Sequence, residues 1–358
     1  MIQDTSSVSP CIAGVDIGDD TSSVCILDAA SGDVLEETRV RTRVADVERY
    51  FARLDPLRVA IETGTHSSWI ARAISDAGQD VTIANAAHVR LIHGSKRKND
   101  RLDAEKLGRL LRYDRALLAP ITHRGRAAQL DLSVLRARDA LVRARTLLIN
   151  HVRGVVKSYG QRIPKCETSA FSKHAASHVP PDLLPALQPQ IEAIAHLTEQ
   201  IRSADRRVAE LCRTTHPETA VLTQVHGVAE TTALTYVLTL EDPNRFHRSR
   251  DVGAYLGLTP GQRQSGGRDP DRHITKAGDR ALRRLLIQCA QRILGKRGID
   301  SDLKRHGQRI MQPGTKEAKR RAVVAVARKL AILLHRLWIT GEVYEPLHNN
   351  QPKPTPLT

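Results

Sequence analysis

Aromatic side chains are scarce in this sequence: three Phe, two Trp and six Tyr, 3% of 358 residues. That scarcity excludes recognition carried mainly by stacking bases on aromatic platforms. Acidic residues are also the minority, 39 Asp and Glu against 55 Lys and Arg, for a formal charge of +16. An excess of that size points to a polyanionic partner gripped through its phosphates. Cysteines are few and scattered, and Cys11, Cys25, Cys166, Cys212 and Cys289 form no C-x-x-C pair. Neither a disulfide frame nor a zinc site is expected, and a reducing compartment is. No apolar run reaches membrane-spanning length; even residues 322–334 are interrupted by Arg328 and Lys329. No basic segment followed by an apolar run opens the chain, so no secretory signal is read and a cytoplasmic location is expected.

What is present is an ordinary globular share of apolar residues, 41%, in a chain long enough for two or three domains. Residues 11–17, 21–28 and 34–40 read as three strands separated by the turns Gly18-Asp19-Asp20 and Ser31-Gly32-Asp33. A helix over 45–54, a strand over 58–63, a helix over 66–77 and a strand over 81–84 follow. Three antiparallel strands and then helix–strand–helix–strand is the order of an RNase H-like sheet. Beyond it, residues 127–159 carry Leu130, Val134, Leu141, Leu148 and Val152 at helical or heptad spacing. A looser Pro- and Ser-bearing connection, 160–185, leads to a second amphipathic helix over 191–211. This pair predicts an antiparallel hairpin or coiled coil, whose stripes serve either internal packing or an oligomer interface. The expected division is 1–120, an α/β catalytic domain; 121–213, the helical middle; 214–345, a mostly helical third domain; and 346–358, a Pro-rich disordered tail.

Four acids stand where such a sheet would gather them: Asp16 in Gly14-Val15-Asp16-Ile17-Gly18, Glu62 in Ile61-Glu62-Thr63-Gly64, and Asp100 and Asp103 in Asn99-Asp100-Arg101-Leu102-Asp103-Ala104. Asp16 is placed in the middle of the first strand, Glu62 at the end of a neighbouring one, and the last two, three apart, at a helix start where both can face one way. Phosphoryl chemistry with two metal ions needs several hard oxygen ligands converging on ions about 4 Å apart. Singly, Asp100 reads equally well as an N-cap and Glu62 as an ion-pair partner. Asp19 and Asp20 read as turn residues. The four together, in a chain this basic, point to divalent metal working on phosphates.

A second constellation lies downstream. Ser265 precedes Gly266-Gly267, which leaves its backbone open to a phosphate. Arg263, Arg268, Arg272 and Lys276, with Arg283 beyond, supply charge to bind nucleic acid. Residues 245–297 hold 13 Lys and Arg against 4 Asp, and this basic stretch brackets the serine. Upstream, Val225-His226-Gly227-Val228 resembles a helix-hairpin-helix turn that offers backbone N–H groups to DNA phosphate. Spacing alone does not make Ser265 a nucleophile; an isolated Ser-Gly-Gly is ordinarily a flexible turn.

With these residues in view the chain resembles the IS110-type insertion-sequence transposases, the DEDD recombinases. The resemblance spans nearly the whole chain. It rests on Gly14-Val15-Asp16, Ile61-Glu62-Thr63-Gly64 and Asn99 to Ala104 at the front. At the back it rests on Tyr255-Leu256-Gly257-Leu258-Thr259-Pro260, Ser265-Gly266, Ile274-Thr275-Lys276-Ala277-Gly278 and Leu282-Arg283. It implies a RuvC-like domain binding Mg²⁺ through Asp16, Glu62, Asp100 and Asp103, and a transposase domain whose Ser265 links covalently to DNA. It further implies donor and target DNA as partners, a structured noncoding bridge RNA as guide, and dimers or tetramers assembled through the helical middle of a prokaryotic, nucleoid-associated enzyme. The alternatives weighed are a hydrolytic RuvC-like junction nuclease and a non-catalytic nucleic-acid-binding protein. An actin-like sugar kinase, suggested by Asp16-Ile17-Gly18 before Thr21, lacks the second set of Gly-rich loops it would need.

Overall fold

The structure is a computed structural model and describes residues 10–86, 88, 99–261 and 273–348. Two compact units divide it, Met1–Arg124 and Gly125–Thr358.

The first unit is built on a five-stranded sheet of order β3-β2-β1-β4-β5. Its strands are β1 (Cys11–Asp16), β2 (Thr21–Asp28), β3 (Val34–Arg41), β4 (Arg58–Glu62) and β5 (Asp80–Ala84). β1 to β3 form an antiparallel meander, and β4 and β5 add in parallel on the other side of β1. This is the RNase H-like arrangement the sequence order predicts. β1 is central and covered on both faces, which is why Ile12, Ala13, Gly14 and Val15 run apolar without alternation. β3 is the edge, and its Glu36, Glu37, Arg39 and Arg41 charge it against pairing with another sheet.

Period-two alternation divides the faces. Ala13, Val15, Val59 and Ile61 pack with Val47 and Phe51 of α1 (Val44–Ala52) and with Ile70 and Ile74 of α2 (Ser67–Asp76). Ile12, Ala60 and Ala84 point the other way, against Leu107, Leu110 and Leu111 of α3 (Asp100–Tyr113).

The second unit is helical. α4 (Arg126–Ser158) and α6 (Leu184–Thr214) pack as an antiparallel pair. Leu132 and Leu135 near the start of α4 meet Val208 and Leu211 near the end of α6, while Ile149, Val152 and Val156 meet Leu187, Ile191 and Ile194. Within the connection expected to be irregular lies a further helix, α5 (Phe171–His178), whose Phe171 and Ala175 are buried against that pair. The rest comprises α7 (Thr219–Thr223), α8 (Glu230–Leu240), α9 (Asp251–Tyr255), α10 (Arg280–Leu294), α11 (Asp302–Met311) and α12 (Lys316–Thr340). α8 joins the hairpin to this group, since Leu234 and Leu238 share a cluster with Leu211 while Tyr236 and Val237 enter the main core. Tyr236 is fully buried, and its hydroxyl donates to Ala331 O at 2.6 Å. None of the helices among the described residues is long and apolar enough to cross a membrane.

Candidate active site

Asp16 is the last residue of β1, not an interior one, and it is half-buried. The expectation of an acid sunk in mid-strand is corrected: Ile17 and Gly18 leave the sheet, so the carboxylate stands at the strand's open end. Glu62 likewise ends β4 and is half-buried. β1 and β4 are parallel, with Val15 opposite Ile61 as the last rung, so the two acids follow one step on. Counting by twos from Ile12 and Gly14, and from Ala60, puts both on the face that α3 covers.

α3 runs antiparallel to β1 across that face. Going down the helix from Ala104 and Gly108 to Leu111, its contacts go back along β1 from Gly14 to Ile12. The first turn of α3 therefore sits at the end where Asp16 and Glu62 emerge. Asp100 precedes Ala104 by four, and Asp103 precedes Leu107 by four, so each continues the sheet-facing stripe one turn outward. Asn99, rather than Asp100, caps the helix, its side chain accepting from Arg101 N. That leaves the Asp100 carboxylate out of capping. Asp103 is held by Lys106, 2.8 Å away.

The crossing is close because both elements present small residues. An added Cβ on Gly14 would lie 1.9 Å from Ala104 O and 2.5 Å from Gly108 N. Arg101 pins the same helix start to the sheet edge, with Nε and Nη2 each 2.5 Å from a Glu37 carboxylate oxygen. Neither feature is named by the motif reading, although Ala104 and Gly108 at i, i+4 do carry a sequence signal for a close helix approach.

The loops after β1 and β4 also meet. His66 Nε2 lies 3.3 Å from Asp19, and its Nδ1 accepts from Trp69 Nε1 at 3.1 Å. Asp19 thus has a partner beyond its part in the turn, the Nε2 side of a ring whose Nδ1 is an acceptor. Ser67 is fully buried; its Oγ donates to Gly64 O at 2.8 Å, accepts from Gly64 N at 3.0 Å, and lies 2.9 Å from His123 Nε2. With the hydroxyl proton spent on Gly64, His123 Nε2 must be the donor. This knot fixes the loop that follows Glu62.

Burial, and then the charges of Arg72 and Arg124, hold the His123 pKa below its ordinary 6.5. A folded value below the unfolded one means that the unfolded chain takes up the proton first as pH falls. The stabilisation is therefore complete above about pH 6.5 and lost through the depressed value. The melting temperature of the native protein should fall more steeply between pH 7 and pH 5 than that of His123→Gln; parallel curves would dismiss this histidine as a source of acid sensitivity.

Carboxylates are hard oxygen donors, and these four approach one end of one face from three elements, which suits a divalent cation. Among the described residues, no three His, Cys, Asp or Glu side chains are already gathered around a common ion position. The fit therefore lies in the donor set and the shared face.

Ser265, Arg263, Arg268 and Arg272 lie outside the described residues. The base of their segment is defined, however. Gly261 N donates to His273 O at 3.0 Å and Thr275 N to Thr259 O at 2.9 Å, and Pro260 and Ile274 form an antiparallel bridge. Two motif glycines interlock behind it. A Cβ on Gly257 (φ 64°) would lie 2.3 Å from Ala277 N, and one on Gly278 (φ 69°) would lie 2.1 Å from Tyr255 O. Asp279 caps α10 by accepting from Ala281 N and Leu282 N, both at 2.9 Å. Arg283 Nη1 donates to Leu256 O at 3.1 Å and Ala277 O at 2.6 Å, tying the two motifs together. Lys276 is exposed with φ 57°. The predicted hairpin turn joins α7 and α8, with Gly227 at φ 92°.

Comparison with known proteins accounts for both regions. Residues 13–161 match a family model for DEDD transposases of IS110 elements, described as a transposase, and residues 219–329 match the transposase IS116/IS110/IS902 family. The chain is 29% identical over 285 residues to the transposase for insertion sequence element IS1328 of Yersinia enterocolitica, covering 78% of this chain and 83% of that protein. It is 26% identical over 343 residues to the transposase for insertion sequence element IS1111A of Coxiella burnetii, covering 93% and 91%. Thermus thermophilus RuvC, solved with a Holliday junction substrate, aligns with 31% of this chain and 99% of its own, at 18% identity and a TM-score of 0.24. An RNase H-like sheet with its acids at one end, followed by a helical transposase region, defines an enzyme that breaks and rejoins DNA. The chain belongs to the IS110-type family of insertion-sequence transposases.

Proposed function

We propose that this transposase is a site-specific recombinase acting through Ser265 as nucleophile, with Asp16, Glu62, Asp100 and Asp103 as ligands for Mg²⁺ in a two-ion site. The observation that carries the proposal is the arrival of β1, β4 and the first turn of α3 at one end of one sheet face. Bound there, Mg²⁺ would supply Lewis-acid stabilisation of the phosphoryl oxygens.

The chain's own groups do the rest. The Ser265 Oγ forms a bond to phosphorus as the phosphorus–oxygen bond to one deoxyribose breaks; the serine proton departs and the leaving alkoxide gains one. Attack by a deoxyribose hydroxyl on the phosphoserine reverses the balance, rejoining DNA and restoring the serine. Arg263, Arg268, Arg272, Lys276 and Arg283 are assigned to hold the phosphates, Arg283 partly by bracing the segment's base. The α3 N-terminus adds positive potential beside the carboxylates.

Residues 1–120 would form the RuvC-like catalytic domain, 121–213 the oligomerisation region, 214–345 the serine-bearing transposase domain and 346–358 a tail. Assembly as a dimer or tetramer through the helical middle has support in Leu130, Leu147 and Tyr159, each more than 60% exposed on or just after α4. Guidance by a structured noncoding RNA rests on the family resemblance and the +16 charge.

Denaturing gels after reaction with labelled element-end DNA test the mechanism. Protein-linked DNA is expected from the native chain and none from Ser265→Ala, with nucleic-acid binding retained. Free 5′-phosphate ends without an adduct would instead establish hydrolysis, and full recombination by the alanine variant would remove the serine from the reaction.

A further inference from the structure

The second unit carries a cleft that the recombination chemistry does not use. α11 lies along α12, and the chain after Gly341 returns across them: Asp302 N donates to Pro346 O at 2.7 Å, and Tyr344 N to Gln224 Oε1 at 2.9 Å. These pieces bound a cleft of about 1210 Å³. That exceeds the roughly 300–1,000 Å³ that holds a drug-sized ligand.

Its charges are unevenly matched. Arg305 is bound to Asp300 and Arg336 to Glu342. Arg309 and Lys329, both exposed, have no ion pair or side-chain hydrogen bond among the described residues. From adjacent helices they line the same cleft as His306, whose pKa is lowered by burial and then by the charges of Lys329 and Arg309. The cleft's carboxylates are placed elsewhere. Glu342 is engaged by Arg336 and Glu345 by His348, while Asp302 lies seven residues before Arg309, about 10 Å along α11. Two like charges lining one cleft without a carboxylate partner repel each other, and an anion bridging them would relieve that repulsion. Beside them the wall turns apolar, with Leu333, Leu337 and the ring of Tyr344.

A phosphate alone would leave that apolar wall bare, and a duplex hides its bases within the stack. We infer that this cleft binds an unpaired nucleotide of a nucleic-acid strand, with Arg309 and Lys329 bridging its phosphate and the base lying against Leu333 and Tyr344. The inference rests on the nucleic-acid chemistry proposed above, but not on the serine or the metal. DNA and RNA strands share the recognised group.

The test is fluorescence anisotropy with the full chain and no divalent metal, using an unstructured single-stranded DNA, the matching RNA and the DNA duplex. In Arg309→Gln/Lys329→Gln, affinity for at least one single strand should fall roughly tenfold. The salt slope for that strand should become shallower by about 0.7, the contribution of the one phosphate the two side chains share. Duplex affinity should stay within about twofold. Whichever strand loses affinity identifies the source. The charge-preserving Arg309→Lys/Lys329→Arg should bind like the native protein, as should Lys316→Gln/Arg320→Gln, which removes exposed cations of α12 outside the cleft. Equal losses for duplex and single strands, or from the control pair, would reduce the effect to general charge and overturn the inference. Unchanged single-strand binding would overturn it while adduct formation at Ser265 stood. Failure of the native chain to bind any of the three would overturn both readings.

Discussion

Asp16→Asn is expected to slow DNA cleavage by roughly a hundred- to a thousandfold, the scale of removing one group that stabilises transition-state charge. DNA affinity should stay within about twofold, because the phosphate grip belongs to the basic residues. The substitution is nearly isosteric and the position is half-buried at a strand end, so the fold should persist. A second readout needs no turnover. A ligand that binds only the folded state at 100 times its Kd adds about 2.7 kcal/mol of stability. Mg²⁺ should therefore raise the melting temperature of the native protein and raise that of the variant much less. A variant that recombines at the native rate, or shows the full Mg²⁺ shift, would remove Asp16 from the site.

Gly14→Ala should be more damaging than its single methyl suggests. The added carbon would fall 1.9 Å from a backbone carbonyl of α3, and backbone cannot turn aside as a side chain can. Overpacking ordinarily costs about 1–3 kcal/mol, and this contact belongs at or above the upper end. The helix would have to lift from β1, carrying Asp100 and Asp103 away from Asp16 and Glu62, so cleavage should be lost even in molecules that stay folded. Gly108→Ala is the internal comparison. Its methyl would meet a flexible Leu27 Cδ1 at 3.0 Å and Gly14 N at 3.2 Å, a milder clash. Urea unfolding of the three proteins should rank native, then Gly108→Ala, then Gly14→Ala; native-like stability in the last would contradict the crossing.

The sheet was legible in the sequence because each strand is bounded by turn residues and filled with apolar or β-branched ones. β2 spans the expected residues 21–28, and β1, β3, β4 and β5 differ from expectation by a residue at one end. The long helices were legible by period, less so by detail. Leu130 belongs to the predicted stripe but is 63% exposed, while Leu132 and Leu135 carry the packing. A heptad pattern allows such a slip where Leu, Val and Ala fall on several faces. α6 begins at Leu184, earlier than expected, because Pro185 sits in its first turn, where a missing N–H costs nothing, and Pro189 is accommodated within. α5 went unread because its Ser, His and Ala residues give no apolar period until Phe171 and Ala175 find a surface. At the candidate site, composition pointed to the acids. The Arg101–Glu37 pair and the Gly14 crossing depend on residues far apart in sequence, which one-dimensional patterns do not connect.

The alignment of Asp16 with Glu62 depends on a short ladder: β1 and β4 share only the rungs from Ile12–Arg58 to Val15–Ile61. Successive side chains of a strand point to opposite sides, so sliding β4 by one position would turn Glu62 toward α1 and α2 and bring an apolar neighbour round in its place. Insertions in the surface loop before β4 leave this gauge untouched. The loss of a single residue inside the strand would instead dismantle the acid pairing while conserving every acid in the chain.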